Sequence, residues 1–300
     1  MRSLVTGGAG FIGSNLVDQL LKIGHKVTVV DNEFSDAHDQ FYWNPKAYNV
    51  NCDIRDYRAL TSAFANGVDY VFHLAAEARI QPAIKNPIEA VSINSVGTCT
   101  VLQCAREAKV KRLIYSSTSS SYGMNPYPNV ETQPDDCLNP YSATKIAGEK
   151  LCKMYTNLYG LETVVLRYFN VFGERCPTRG QYAPVIGIFR RQLASGEPLT
   201  IVGDGSQRRD FVHVNDVARA NYLASILLLQ GHEGEVFNVG SGTNYSVQDI
   251  ADIISDNQVY LPERKGEMHT TLANIDKISN VIGWKPEVDV MDWIRGELDG

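Results

Sequence analysis

No C-x-x-C pair occurs among the six cysteines of this 300-residue chain (Cys52, Cys99, Cys104, Cys137, Cys152 and Cys176), and no Cys/His cluster has zinc-ligand spacing. A disulfide scaffold and a bound metal are therefore not expected, and the cysteines read as small apolar residues in a reducing compartment. A long hydrophobic run is missing too: the most apolar stretch, residues 222–229, is far too short to cross a bilayer. Positive charge is not in excess. With a formal net charge of −6, no global field draws the chain to nucleic acid or to an anionic membrane, and neither is expected as a partner. An anionic substrate would have to be held by a few local arginines. Internal repeats, low-complexity tracts and obvious linkers are absent. Arg2-Ser3-Leu4-Val5 opens a strand almost at once, so no signal peptide and a cytoplasmic location are expected.

What is present is ordinary for a folded soluble protein, 44% hydrophobic and 21% charged residues. Short β-branched runs at 3–6, 26–31, 47–52, 70–74, 112–116 and 163–167 read as strands. Helical patterns fall between them at 11–23, 57–64, 87–108 and 140–159. Strands separated by helix-length segments imply crossover connections, so the expected class is α/β with a Rossmann-type, doubly wound parallel sheet. After about residue 168 the rhythm loosens into Gly-, Pro- and Arg-rich loops. We expect residues 1–167 and 210–239 to form a dinucleotide-binding domain, and 168–209 and 240–300 a smaller substrate lobe packed against it across a cleft.

Three motifs carry chemistry. Thr6-Gly7-Gly8-Ala9-Gly10-Phe11-Ile12-Gly13 lies between the first strand and the first helix. Glycines there allow a tight turn and close approach of a pyrophosphate to the helix N-terminus, where N–H groups and dipole favour anions. The next strand ends in Asp31, whose carboxylate suits ribose hydroxyls and repels a 2′-phosphate, and no Lys or Arg lies between Asp31 and Gln40. NAD is therefore expected rather than NADP. Tyr141 and Lys145, four residues apart, share one helical face. A nearby ammonium and a positively charged nicotinamide are expected to lower the tyrosine's pKa from about 10, which makes Tyr141 a general base and acid. The third motif is the hydroxyl-rich run from Tyr115 to Gly123 at the end of the fifth strand, where ligands of parallel sheets bind.

In combination these segments closely resemble the extended short-chain dehydrogenase/reductases, specifically the NAD-dependent epimerase/dehydratase family. The resemblance runs from residue 1 to about 290 through TGGAGFIG at 6–13, CDIRD at 52–56, HLAA at 73–76, NSVGT at 94–98 and YSATK at 141–145. It continues through RYFNVFG at 167–173, GDGSQRRDFVHVNDV at 203–217 and FNVGSG at 237–242. By that resemblance Gly7, Gly10, Phe11, Ile12, Gly13, Asp31 and Asn32 take the cofactor at the first turn. Asp53 and Ile54 flank the adenine, and Leu74, Ala75 and Ala76 line the cofactor channel. Asn94, Ser116, Tyr141, Lys145 and Tyr168 complete that set. Thr118 joins Tyr141 and Lys145 in catalysis. Thr118, Ser119, Ser120, Asn170, Val185 and Thr271 face the substrate, with Arg209 and Arg264 on its diphosphate, for which guanidinium forks are suited.

Dehydratases resembling this chain carry an Asp-Glu pair after the catalytic threonine, and decarboxylases tend to carry a Glu. Here Ser119 and Ser120 stand there, which points to a 4-epimerase of a UDP-sugar. Thr271, seven residues after Arg264, aligns with a position where a bulky aromatic in some relatives restricts the pocket. Its small side chain implies that UDP-GlcNAc/UDP-GalNAc is accepted besides UDP-glucose/UDP-galactose. Arg79 is a further candidate, facing a C6 carboxylate if the substrate is a uronate, with surface solvation as its default role. The stretch from Ile254 to Pro262 is shorter than in most relatives. A homodimer through the helices at 87–108 and 140–159 is implied by the resemblance alone. The alternatives are a decarboxylase, dehydratase, uronate epimerase or reductase on the same scaffold, and a catalytically silent NAD-binding regulator.

Overall fold

The protein is described by a computed structural model covering residues 1–38, 40–179, 183–227, 231–263 and 268–299. The first half runs β1 (Arg2–Thr6), α1 (Phe11–Lys22), β2 (Lys26–Asp31), β3 (Tyr48–Asn51), α2 (Tyr57–Ala63) and β4 (Tyr70–His73). Next come α3 (Ile80–Lys85), α4 (Pro87–Val91), α5 (Thr98–Glu107), β5 (Arg112–Thr118), α6 (Pro140–Tyr159) and β6 (Glu162–Tyr168). The remainder is β7 (Asn170–Phe172), α7 (Val185–Ser195), β8 (Leu199–Val202), β9 (Arg208–His213), α8 (Val214–Ile226) and β10 (Val236–Val239). Then follow β11 (Asn244–Ser246), α9 (Val247–Ile254), β12 (Gln258–Leu261), α10 (Asp276–Ile282) and α11 (Val290–Asp299).

Seven strands pair in the order β10-β6-β5-β4-β1-β2-β3, all parallel. Successive side chains of a strand point to opposite faces, and here both faces are apolar. Val5, Phe72, Ile114, Val164 and Leu166 enter the core shared with α1, α8 and α10. Their neighbours Leu4, Val71, Leu113 and Val165 enter the core shared with α2, α5 and α6. That alternation makes the sheet doubly wound, as the sequence pattern requires.

The second lobe is built around β11-β9-β7 and the parallel pair β12-β8. Its own core joins Phe172, Phe189, Phe211 and Ile250 under α7, α9 and α11. The chain returns to the main sheet at β10, which pairs with β6, and α8 packs against α1. One helix differs from expectation. The pattern at 87–108 is not continuous, because a π-helical turn over Ser92–Gly97 separates α4 from α5. The fifth strand also runs two residues further than expected, to Thr118, which carries its hydroxyls to the sheet edge.

Candidate active site

One cavity of about 550 Å³ opens along the carboxyl ends of β1, β2, β4 and β5 and extends to the second lobe. The first glycine turn forms one wall. At Gly13 a side chain is impossible without displacement, since a Cβ would lie 2.1 Å from the Gly7 carbonyl oxygen. Helix α1 therefore starts pressed against the strand turn, with Gly10 as its N-cap and no side chain capping it. The orphan N–H groups of a first helical turn seek an anion, and Gly10, Phe11, Ile12 and Gly13 line the cavity here. Asp31 closes this end. Its carboxylate accepts the N–H of Ala9 at 3.0 Å and of Glu33 at 2.9 Å, while burial pushes its pKa up. Asn32 donates to Asp53 at 3.3 Å, and Asp53 is gripped by Arg55 at 2.6 Å. A dinucleotide fits this wall: backbone donors for phosphates, a carboxylate for hydroxyls, and no side chain in the turn to obstruct either.

The opposite wall carries the proton chemistry. Asn139 caps α6 by accepting the Ser142 N–H at 2.9 Å, which sets Tyr141 in the first turn. Helix α6 lies close on β5 because Gly148 has no Cβ, which would stand 2.1 Å from the Tyr115 hydroxyl. That approach brings Tyr141 and Lys145 to Thr118, Ser119 and Ser120, all lining the cavity. Thr118 also accepts the Ser120 N–H at 3.1 Å. Lys145 is buried, its ammonium 4.4 Å from the Tyr115 ring centre, and burial presses its pKa down to about 8. One expectation is corrected. The Tyr141 pKa is raised, not lowered: burial is the dominant cause, a hydrogen bond with Thr118 opposes it, and the charge of Glu77 adds to it. The ammonium does not by itself outweigh the low-dielectric surroundings. Ser116 bonds the Tyr168 hydroxyl at 2.9 Å, which also meets Asn221, and burial pushes that phenol up to about 12.

The second lobe supplies the far wall. Arg209 lines the cavity and donates to the carbonyls of Arg208 and His269 at 3.1 and 2.9 Å. Thr271 is buried, its hydroxyl accepting from the Asp210 N–H at 3.1 Å and from the Asn170 amide at 3.2 Å. Val185, at the start of α7, closes the same side. Arg264 lies outside the described residues.

Asn94 is not brought to the cavity as expected, and Arg79 reaches it already paired. Asn94 is buried away from it, with every side-chain polar atom engaged by Glu77 and Thr144. Arg79 lines the cavity, yet its guanidinium is forked on Glu77 at 3.0 Å twice and also pairs with Asp36. Sequence reasoning missed the segment that roofs the glycine turn. Phe34, His38 and Phe41 line the cavity, and His38 packs edge-on against Phe41 at 5.3 Å. Four aromatics in the loop between β2 and β3, Phe34, Phe41, Tyr42 and Trp43, were the available signal. Also missed was the buried pair Arg167–Glu149, with Nε 2.8 Å from Oε1, which Ser117 joins at 2.5 Å behind the catalytic wall. Among the described residues no cluster of His, Cys, Asp and Glu could hold a metal, and no helix is long and apolar enough to cross a membrane.

A doubly wound sheet with a glycine-turn cavity at its carboxyl edge defines a dinucleotide-binding α/β protein. The sequence profile of the NAD dependent epimerase/dehydratase family matches residues 3–240. A UDP-glucose 4-epimerase from Mycolicibacterium smegmatis is 35% identical, covering 100% of this chain and 98% of its own. A UDP-glucuronate 4-epimerase from Thermodesulfobacterium geofontis is 36% identical over 97% of this chain and 93% of its own. A UDP-N-acetyl-alpha-D-glucosaminuronate decarboxylase from Bacillus cytotoxicus is also 36% identical, over 98% and 95%. The crystal structure of the Thermus thermophilus UDP-glucose 4-epimerase in complex with NAD superposes with a TM-score of 0.90 at 32% identity, covering 100% of this chain and 98% of that one. The chain is therefore a member of the NAD-dependent epimerase/dehydratase family of extended short-chain dehydrogenase/reductases, an enzyme whose cofactor is NAD.

Proposed function

We propose that the protein interconverts the C4 epimers of a UDP-sugar, UDP-glucose/UDP-galactose and also UDP-GlcNAc/UDP-GalNAc. The observation that carries this reading is the distribution of carboxylates. Among the described residues, the acidic side chains lining the cavity are Asp31 and Asp53, both at the glycine-turn end. Elimination of water needs a further acid and base beside the catalytic phenol, and Ser119 and Ser120 occupy that wall instead. One proton carrier suffices for epimerisation.

In this reading bound NAD would supply a reversible hydride acceptor for the sugar C4, and its ring charge would favour the Tyr141 phenolate. Tyr141 takes the proton of the sugar 4-hydroxyl and gives it back, with Thr118 holding the hydroxyl pair in line. Lys145 holds positive charge beside the ribose and the phenol. Gly7, Gly10, Phe11, Ile12 and Gly13 cradle the cofactor phosphates, while Asp31 and Asn32 take the adenosine ribose. Asp53 and Ile54 bracket the adenine, and Leu74, Ala75, Ala76, Ser116 and Tyr168 form the channel. Arg209, with Arg264, holds the substrate diphosphate, and Asn170, Val185 and Thr271 shape the sugar pocket. The small Thr271 leaves room for a 2-acetamido group. The existing ion pairs of Arg79 with Glu77 and Asp36 weigh against its service to a uronate carboxylate.

Incubation with UDP-glucose, UDP-GlcNAc and UDP-glucuronate, followed by NMR and mass measurement, tests the reading. The expected products are C4 epimers of the first two with unchanged mass. A product lighter by water or carbon dioxide, or conversion of the uronate alone, would refute it.

A homodimer is part of the same reading. Ile88 is 81% exposed and Leu158 64%, with Ile84, Val91, Val96 and Met154 also exposed on α3, α4, the π-helical turn and α6. Apolar exposure of this extent on helices fits a second copy of the chain. Ile88→Asp is expected to halve the mass measured by sedimentation, and an unchanged monomer in both proteins rules the dimer out.

A further inference from the structure

We propose that Tyr115 is a positioning residue of the reaction: one side chain holds both ends of Lys145, with its ring against the ammonium and its hydroxyl on the backbone carbonyl. The inference rests on the reading of Lys145 as the positive charge beside the phenol and the ribose.

The geometry starts from β5. Tyr115 is fully buried in the core that this strand shares with α6. Its hydroxyl donates to the Lys145 carbonyl at 3.3 Å, and the Lys145 Nζ lies over its ring, 4.4 Å from the centre. Gly148 leaves the room for this: a Cβ there would stand 2.4 Å from the ring carbon that carries the hydroxyl. His73 backs the ring, with centroids 5.6 Å apart. Burial holds the His73 pKa down to about 3, so no second positive charge stands behind the ring to repel the lysine.

A carboxylate could do the same holding, and the fold turns the nearest one away. Glu149 stands four residues after Lys145, where an ion pair along one helix would form. Its Oε1 instead accepts from Ser117 at 2.5 Å and from Arg167 Nε at 2.8 Å, and its Oε2 accepts from Arg167 at 2.8 Å. Ser117 lies two residues after Tyr115 on the same face of β5. One strand thus presents a ring to Lys145 and a hydroxyl to Glu149. The difference matters to the chemistry. A carboxylate in contact would hold the ammonium but cancel much of its field at the Tyr141 phenol. The negative face of an aromatic ring attracts a cation and brings no net charge. Tyr115 therefore fixes the ammonium and leaves its charge to act on phenol and ribose.

The lysine is poised for such a contact to count. Burial presses its pKa down to about 8, while Glu149 and Cys152 on its own helix oppose that. Tyr141 stands one turn before it on α6, and the charge of Glu77, after β4, acts on that phenol. From the sheet, Tyr115 of β5 and neutral His73 of β4 face it. The ring favours the charged form, so weakening the ring lets the lysine lose its proton at lower pH.

A fluorinated phenylalanine at residue 115 has the shape of phenylalanine but a depleted negative face, and it opens no cavity. The pH dependence of kcat, followed by product NMR on the UDP-sugar that the unaltered protein converts, reads the effect. Tyr115→Phe keeps the ring and is expected to keep the alkaline limb near pH 8. The fluorinated protein is expected to show that limb about one pH unit lower, with turnover at the original midpoint down about fivefold. The melting temperatures of the two are expected to agree. A limb at the same pH in both, or a loss of turnover that follows melting temperature and not pH, overturns the proposal. A Lys145→Met protein run alongside separates the two failures. Turnover retained there removes the role of the lysine itself. Turnover lost there, with an unmoved limb in the fluorinated protein, removes only the role of the ring.

Discussion

At the glycine-turn end of the cavity the wall comes from neighbouring chain: β1, its turn and α1 lie within residues 2–22, and Asp31 closes the next strand. At the other end Asn170, Arg209 and Thr271 come from three distant segments. Asp210 pins those segments together. Its fully buried carboxylate accepts the Ser241 N–H at 2.6 Å, the Gly242 N–H at 3.0 Å and the Ala273 N–H at 3.0 Å. The first end is dictated by local backbone geometry, which few sequences satisfy. The second is an assembly of loops whose side chains can change without disturbing the sheet, and that is where members of one family can differ in substrate.

The comparison makes predictions of decreasing size. Tyr141→Phe, on the shared wall, is expected to reduce kcat by about 100- to 10,000-fold, the range for loss of a general acid–base, with NAD still bound. Retained turnover measured by product NMR would break the scheme at both ends. Arg209→Ala is expected to raise the KM for the UDP-sugar by about 10- to 100-fold, as loss of a charge-assisted contact does. If NAD affinity by fluorescence titration falls equally, the two ends are not separable. Thr271→Tyr sharpens the contrast further. It is expected to cut turnover of UDP-GlcNAc roughly tenfold while plain hexoses change about twofold, the scale of a steric change in a pocket. Equal losses on both sugars would show that residue 271 does not read the 2-position.

The smallest effect concerns stability. Burial holds the His73 pKa down to about 3, against 6.5 for the free side chain. Below pH 6.5 the unfolded chain therefore takes up a proton that the folded protein refuses. The associated stability is complete above that pH and is lost as pH falls toward 3, at up to about 1.4 kcal/mol per unit. His25 and His213, also lowered by burial, act in the same direction. Urea titrations at pH 7 and pH 5 are expected to show the loss, and His73→Gln to reduce its slope; an identical slope would place the cost elsewhere.

Much of this was legible before any coordinates. The short β-branched runs separated by helix-length segments specified buried parallel strands, and Thr6–Gly13 with Asp31 specified the dinucleotide turn. The break at Ser92–Gly97 was not legible, since no Gly or Pro lies between residues 88 and 96 to mark it. Asn94 was assigned to the cofactor by the resemblance, whereas the structure engages its side chain with Glu77 and Thr144. The direction of the Tyr141 pKa was missed for a related reason: spacing shows that Lys145 is near but not how dry the site is.

By itself the sequence determined the sheet, the glycine turn, the Tyr141–Lys145 face and the acid-free run after Thr118, since each is a property of adjacent residues. Only the tertiary structure decided that Arg79 is already paired, that Asp210 gathers the second lobe and that Asn94 bonds Glu77 and Thr144. Those facts depend on which distant groups share a buried volume, and burial sets both the cost of an unpaired polar atom and the partner that must meet it.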